Sequence, residues 1–113
     1  MTEARLASSV LVGAMIRHAE GQGGFAAVLA KGDSTAGAIS VILREKGANP
    51  RFFERLLEPN GSYCWRESGQ LIENEQDLKS FLERRRKFDP DSWVLELDIA
   101  SAERFAAEMN AFG

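Results

Sequence analysis

Trp93-Val94-Leu95-Glu96-Leu97-Asp98-Ile99 is the stretch that decides the fold class. Trp93, Leu95, Leu97 and Ile99 alternate with Val94, Glu96 and Asp98, the period-two pattern of a strand with one face in a core. A slip of one residue would bury Glu96 and Asp98, so the buried face is fixed by the pattern itself. Both flanks are helical. Downstream, Ser101 is an N-cap residue, and Ala102, Phe105, Ala106, Met109 and Phe112 make one apolar stripe. Upstream, Asn74 is placed to cap a helix whose first turn carries Glu75 and Asp77. Leu78, Phe81, Leu82 and Phe88 form its apolar face, and Pro90 stops it. A strand set between two amphipathic helices requires a fold that mixes the two element types.

Working back toward the N-terminus, four further runs read as strands: residues 25–31, 37–45, 51–57 and 62–67. In the second, Ile39, Val41 and Leu43 share one face, and Ser40, Ile42 and Arg44 share the other. The separators are Gly32-Asp33-Ser34, Gly47-Ala48-Asn49-Pro50 and Pro59-Asn60-Gly61, all turn-forming residues. Links this short join antiparallel neighbours, which predicts a meander. Ahead of the strands, residues 6–20 are helical, with Leu11, Ala14, Met15, His18 and Ala19 on one stripe. Gly21, Gly23 and Gly24 end that helix. The expectation is a single α+β domain over residues 1–113, with three helices and an antiparallel sheet of about five strands. The chain order is α-β-β-β-β-α-β-α.

The Pro59-Asn60-Gly61 hairpin also carries a register. A two-residue Asn-Gly turn would set Arg55 against Arg66 and Glu54 against Glu67, opposing like charges. A type I turn followed by a glycine bulge instead sets Glu54 against Arg66 and Arg55 against Trp65, which is the expected arrangement.

Composition bounds the function. The chain has 113 residues, 44% hydrophobic and 27% charged, with a formal net charge of −3. That is an ordinary globular balance, and it does not indicate a strongly basic nucleic-acid domain. Cys64 is the only cysteine and His18 the only histidine. One chain therefore makes neither a disulfide framework nor a cysteine-built or two-histidine zinc site. A lone thiol suits a reducing compartment, so the expected location is the cytoplasm. The apolar run from Leu6 to Ile16 is flanked by charge and falls short of the about 20 residues that span a bilayer, so no membrane association is expected.

The remaining chemistry-bearing residues favour structural roles. His18 lies on the first helix's apolar stripe, with no nucleophile or orienting acid at recognisable spacing. Cys64 lies between Tyr63 and Trp65 on a strand, where a buried inert thiol is the usual outcome. Lys31-Gly32-Asp33-Ser34-Thr35-Ala36-Gly37 resembles active-site vocabulary but matches neither a nucleophile elbow nor a Walker loop, and it reads as a hairpin loop. Asp89 with Asp91, and Glu73 with Glu75, flank helix ends and carry no metal expectation. No cofactor is expected, and no catalytic constellation is present.

Arginine is the conspicuous residue, at ten of the fourteen basic positions. Its planar fork suits bidentate binding of phosphate or carboxylate. The candidate anion or nucleic-acid contacts are Arg84, Arg85, Arg86 and Lys87 at a helix end, with Arg55, Trp65 and Arg66 on strands. Successive helical residues turn by about 100°, so at most two or three of the four in the run can share a ligand.

Arg5-Leu6-Ala7-Ser8-Ser9, Gly24-Phe25-Ala26-Ala27-Val28-Leu29-Ala30-Lys31-Gly32-Asp33, Asn49-Pro50-Arg51-Phe52-Phe53-Glu54-Arg55-Leu56-Leu57, and Arg84-Arg85-Arg86 running into Phe88-Asp89-Pro90-Asp91 carry a resemblance over most of the chain. On those segments it resembles the alphaproteobacterial domain-of-unknown-function family 1491. The resemblance implies a bacterial cytoplasmic protein of about this length and transfers no catalytic residue. The functional expectation is a non-enzymatic module that binds another protein. The alternative is a weak RNA or phosphate-ligand binder using the arginine run and the strand Arg/Trp surface.

Overall fold

The computed structural model describes residues 7–68 and 72–109. In chain order the elements are α1 (Ser8–Gly21), β1 (Phe25–Ala30), β2 (Ile39–Glu45), β3 (Ala48–Leu57), β4 (Tyr63–Ser68), α2 (Glu75–Phe88), β5 (Trp93–Ile99) and α3 (Ala102–Met109). The expected order of element types is met. The expected antiparallel sheet is not: the strands lie β1-β5-β2-β3-β4, and β5 runs parallel to β2. The meander survives only as β2-β3-β4. Between β1 and β2 the last strand has been inserted, antiparallel to the first and parallel to the second. Short spacing in sequence favoured adjacency, but the segment between β1 and β2 is long enough to pass one strand. It is therefore not the hairpin loop that its composition suggests.

That crossing explains its glycines. A Cβ on Gly32 would stand 2.3 Å from the Asp91 carbonyl oxygen, and one on Gly37 would stand 2.5 Å from the same atom. The segment lies directly on the entry to β5. The Asp33 N–H donates to the Asp91 carbonyl (2.9 Å), and Trp93 Nε1 donates to the Asp33 carbonyl (2.8 Å). The same segment caps α1, since the Ser8 and Ser9 amides donate to the Thr35 and Ser34 carbonyls at 3.2 and 2.9 Å. Carbonyls, not a ligand, thus satisfy the first free donors of that helix.

Helices cover both sheet faces. On one, Leu11, Val12, Met15 and Ala19 of α1 and Phe105 and Met109 of α3 pack with Ile39, Val41, Leu43, Phe53, Trp65, Trp93, Leu95, Leu97 and Ile99. The face expected for β5 is therefore the buried one. On the other, Ile42, Phe52 and Val94 pack beneath Leu78 of α2, with Phe81 and Leu82 partly buried. The two faces of β2 are as expected: Ile39, Val41 and Leu43 enter one core and Ile42 the other, with Ser40 and Arg44 on the Ile42 side.

Three packing details differ from the sequence reading. The α1 stripe is Ser8, Leu11, Val12, Met15 and Ala19, while Ala14 and His18 are half-buried at its margin. Phe88 does not join the apolar face of α2 but is 93% exposed at the helix end. The β2–β3 turn is two residues, not four. Lys46 (φ 52°) and Gly47 (φ 78°) close it between the paired Glu45 and Ala48, and β3 absorbs Asn49 (φ 53°) and Pro50 at a bulge. Both caps read from the sequence are present, with Asn74 accepting from the Asp77 amide (2.8 Å) and Ser101 from the Arg104 amide (3.2 Å). Leu6 and Phe112 lie outside the described residues.

The β3–β4 register is the expected one: Glu54 faces Arg66 and Arg55 faces Trp65. The Gly61 amide donates to the Glu58 carbonyl (2.9 Å) across Pro59 and Asn60, and Gly61 follows at φ 88°. A turn plus one left-handed glycine sets the register that separates the like charges.

Candidate functional site

The seven residues singled out as anion or nucleic-acid contacts divide between the two sheet faces. Trp65 lies with the α1/α3 core and is only 8% exposed, so its ring offers no platform for a base. Arg55, on the same face, stacks over Tyr63 at 3.8 Å. Arg66 is exposed on the opposite face, across from Glu54. Arg85 forms an ion pair with that same Glu54 and also overlies Phe52 and Phe81, at 5.5 and 5.8 Å from their ring centres. It leans onto the apolar side of α2, as the helical step requires, and clamps the helix to β3.

The run is further split by α2 itself. Arg84 and Arg85 border a cleft of about 450 Å³ with Phe52, Phe81 and Phe88, whereas Arg86 and Lys87 border a second cleft of about 520 Å³. Arg86 donates to the Ser92 carbonyl (2.6 Å) and the Lys31 carbonyl (3.4 Å), tying the helix end to the sheet. Both carbonyls accept from its terminal nitrogens. The four cations therefore do not form one patch.

Other polar clusters serve packing. Arg44 donates to Glu96 (2.7 Å) and, through both terminal nitrogens, to Glu75 (2.7 and 2.8 Å), which fastens the start of α2 to β2. These bonds hold the Glu75 carboxyl below the usual carboxylate range and raise Arg44 further above its already high value. Arg51 and Glu67 join β3 to β4 by two bonds of 2.8 Å, and Glu67 is lowered by the same pairing. His18 lies 3.0 Å from Glu108, with Gln22 bridging the pair and the Phe105 ring beside it, so it fastens α1 to α3. Glu73 and Asp89 flank the two ends of α2: the Glu73 amide donates to Asp77, and the Asp91 amide donates to Asp89. Cys64 is half-buried. Among the described residues no three His, Cys, Asp or Glu side chains could together hold a metal ion. No helix among them is long and apolar enough to cross a membrane.

The feature that sequence reading missed is the edge of the sheet. β1 and β4 are its two outer strands. β4 carries Arg66 and Glu67, and charge is how natural sheets protect an open edge. β1 reads Phe25-Ala26-Ala27-Val28-Leu29-Ala30 and has no charge at all. Phe25 is 76% exposed, Val28 45% and Leu29 48%. The pairing of β1 with β5 slips between Val28 and Ala30, a bulge that leaves Leu29 as the extra residue. Leu29 and Ala30 then form one wall of the 520 Å³ cleft, with Val94 behind and Leu82, Glu83, Arg86 and Lys87 of α2 opposite. Unpaired backbone groups, apolar side chains and an adjoining groove are what strand addition uses. A short apolar run reads from sequence like a buried strand, and only the strand order exposes it.

The comparisons with known proteins name a family. The profile of the family described as Protein of unknown function (DUF1491) matches residues 6–107. A crystal structure of a DUF1491 family protein from Caulobacter crescentus is 33% identical, covering 89% of this chain and 94% of that one, with a TM-score of 0.79. A solution structure of a protein from A. tumefaciens is 30% identical, covering 90% and 92%, with a TM-score of 0.74. No curated protein matches. The chain belongs to the DUF1491 family.

Proposed function

We propose that this DUF1491 member is a cytoplasmic, non-enzymatic protein-binding module, and that β1 is the strand to which its partner adds. The observation that carries the reading is the contrast between the two sheet edges. β4 is guarded by Arg66 and by Glu67 paired to Arg51, while β1 is uncharged and exposes Phe25, Val28 and Leu29. An unguarded apolar edge is an aggregation hazard, so its retention in a folded domain points to use. The free thiol of Cys64 agrees with a reducing compartment.

The alternative, a weak RNA or phosphate-ligand binder, draws less support. Its strand arginines lie on opposite faces, its tryptophan is buried, and Arg85 is already neutralised by Glu54. Binding through the remaining cations would be weak and would fade steeply with salt.

The test places a photoreactive phenylalanine analogue at Phe25, or at Arg66 on the opposite edge as control, in the whole chain within its native host. Irradiation should give a protein adduct from position 25 and none from position 66. Absence of any adduct from position 25 would refute the docking edge.

A further inference from the structure

We infer that the strand added to β1 comes from a second copy of this chain, paired antiparallel about a two-fold axis through Ala27. The inference rests on the reading of β1 as a docking edge and goes beyond it by naming the occupant. Its basis is the distribution of side chains along β1. Phe25 pairs with Asp98 and Ala27 with Glu96, so both turn toward the α2 side of the sheet. Ala26 pairs with Leu97 and Val28 with Leu95, toward the α1/α3 side. Leu29 follows by alternation on the α2 side, where it lines the cleft, and the bulge then keeps Ala30, paired with Val94, on that same side.

Under that axis Ala27 meets Ala27, Ala26 meets Val28, and Phe25 meets Leu29. Residues directly opposed across antiparallel strands share a face, and every one of these pairs does. The smallest side chain sits on the axis, where it must meet itself. Phe25, the most exposed large side chain of the strand, arrives beside the cleft that Leu29 and Leu82 border in the other copy. No charge occurs anywhere from Phe25 to Ala30, so the edge neither repels its own image nor selects a partner of opposite sign. Closure is complete. The two sheets become one, and the outer edges that remain are both β4, the strand guarded by Arg66 and Glu67. Such an isologous contact cannot propagate into a fibre.

The bulge confines regular pairing to five residues a side, which falls short of the about 800 Å² per partner of a standard stable interface. Association in the micromolar range or weaker is therefore expected, and it must depend on concentration.

Sedimentation velocity from about 1 µM to about 1 mM tests this on the whole chain. The wild type should shift from monomer to dimer across that range. Ala27→Lys and Ala27→Glu each place like charges face to face on the axis, and each should stay monomeric. An equimolar mixture of the two should dimerise again, because lysine then meets glutamate. Ala27 is exposed and lies opposite Glu96, so circular dichroism melts should show both variants folded, with Ala27→Lys at or slightly above the wild type and Ala27→Glu slightly below it. A wild type monomeric throughout, an unchanged Ala27→Lys, or a mixture that stays monomeric would each overturn the inference. The adduct from position 25 separates the two readings. A product of twice the chain mass supports this one, a product with a different protein overturns it but leaves the docking edge standing, and no product removes both.

Discussion

Replacing Leu97 by alanine tests which face of β5 is buried in the core. Leu97 is fully buried on β5, with Ala26 of β1 on one side and Leu43 of β2 on the other. It belongs to the cluster that holds Leu11 and Met15 of α1 and Phe105 of α3. A buried leucine truncated to alanine costs about 2–5 kcal/mol, from lost transfer energy plus the cavity left behind. Here the cavity closes poorly, because hydrogen-bonded strands flank the site on both sides and their spacing cannot contract. The upper part of that range, about 3–5 kcal/mol, is therefore expected. A domain of this size has about 5–15 kcal/mol in all, so the variant should approach the threshold of folding. At roughly 4 °C per kcal/mol the midpoint should fall by about 10–20 °C. Thermal and urea unfolding followed by circular dichroism measure it, with Phe88→Ala as the control. That side chain is 93% exposed and should move stability by no more than about 0.5 kcal/mol. An L97A midpoint within about 2 °C of the wild type would mean that β5 buries its other face.

Further outcomes follow from other sites. Gly32→Ala would place a Cβ 2.3 Å from the Asp91 carbonyl, so it should cost about 1–3 kcal/mol in urea unfolding and loosen the crossing over β5. Lys46→Asn should instead stabilise, by a few tenths to about 1 kcal/mol, because the β2–β3 turn needs positive φ at both central residues and Asn-Gly supplies it. On acidification, Glu67 and Glu75 contribute stability through carboxyls held low by Arg51 and Arg44. Depressed folded values mean that this contribution is fully present above the ordinary value of 4.5 and fades as pH falls through the lowered folded values. Both side chains are substantially exposed, so the effect should be small and weaker in salt. A Glu67→Gln, Glu75→Gln double variant should show a flatter melting temperature between pH 5 and pH 3 than the wild type. An identical slope would count against those pairs.

The amino-acid sequence by itself determined the elements and their inner faces. The alternation in β5 and β2, the stripe of α3 and the caps at Asn74 and Ser101 all report local geometry. A strand repeats every two residues and a helix every 3.6, so burial of one face is written directly into the order of residues. The β3–β4 register was legible for a similar reason, since opposed charges and one turn glycine leave a single acceptable pairing. Less of the candidate site was legible: the turn of about 100° per residue puts Arg84 and Lys87 roughly on one side, whereas Arg84 borders one cleft with Arg85 and Lys87 borders the other with Arg86. Strand order was decided only by the tertiary structure. Backbone N–H and C=O groups are the same at every residue, so the ladder that places β5 between β1 and β2 leaves no local trace. With that order came the exposure of Phe25, Val28 and Leu29 and the burial of Trp65, because whether an apolar run faces protein or water depends on which strand, if any, lies beside it.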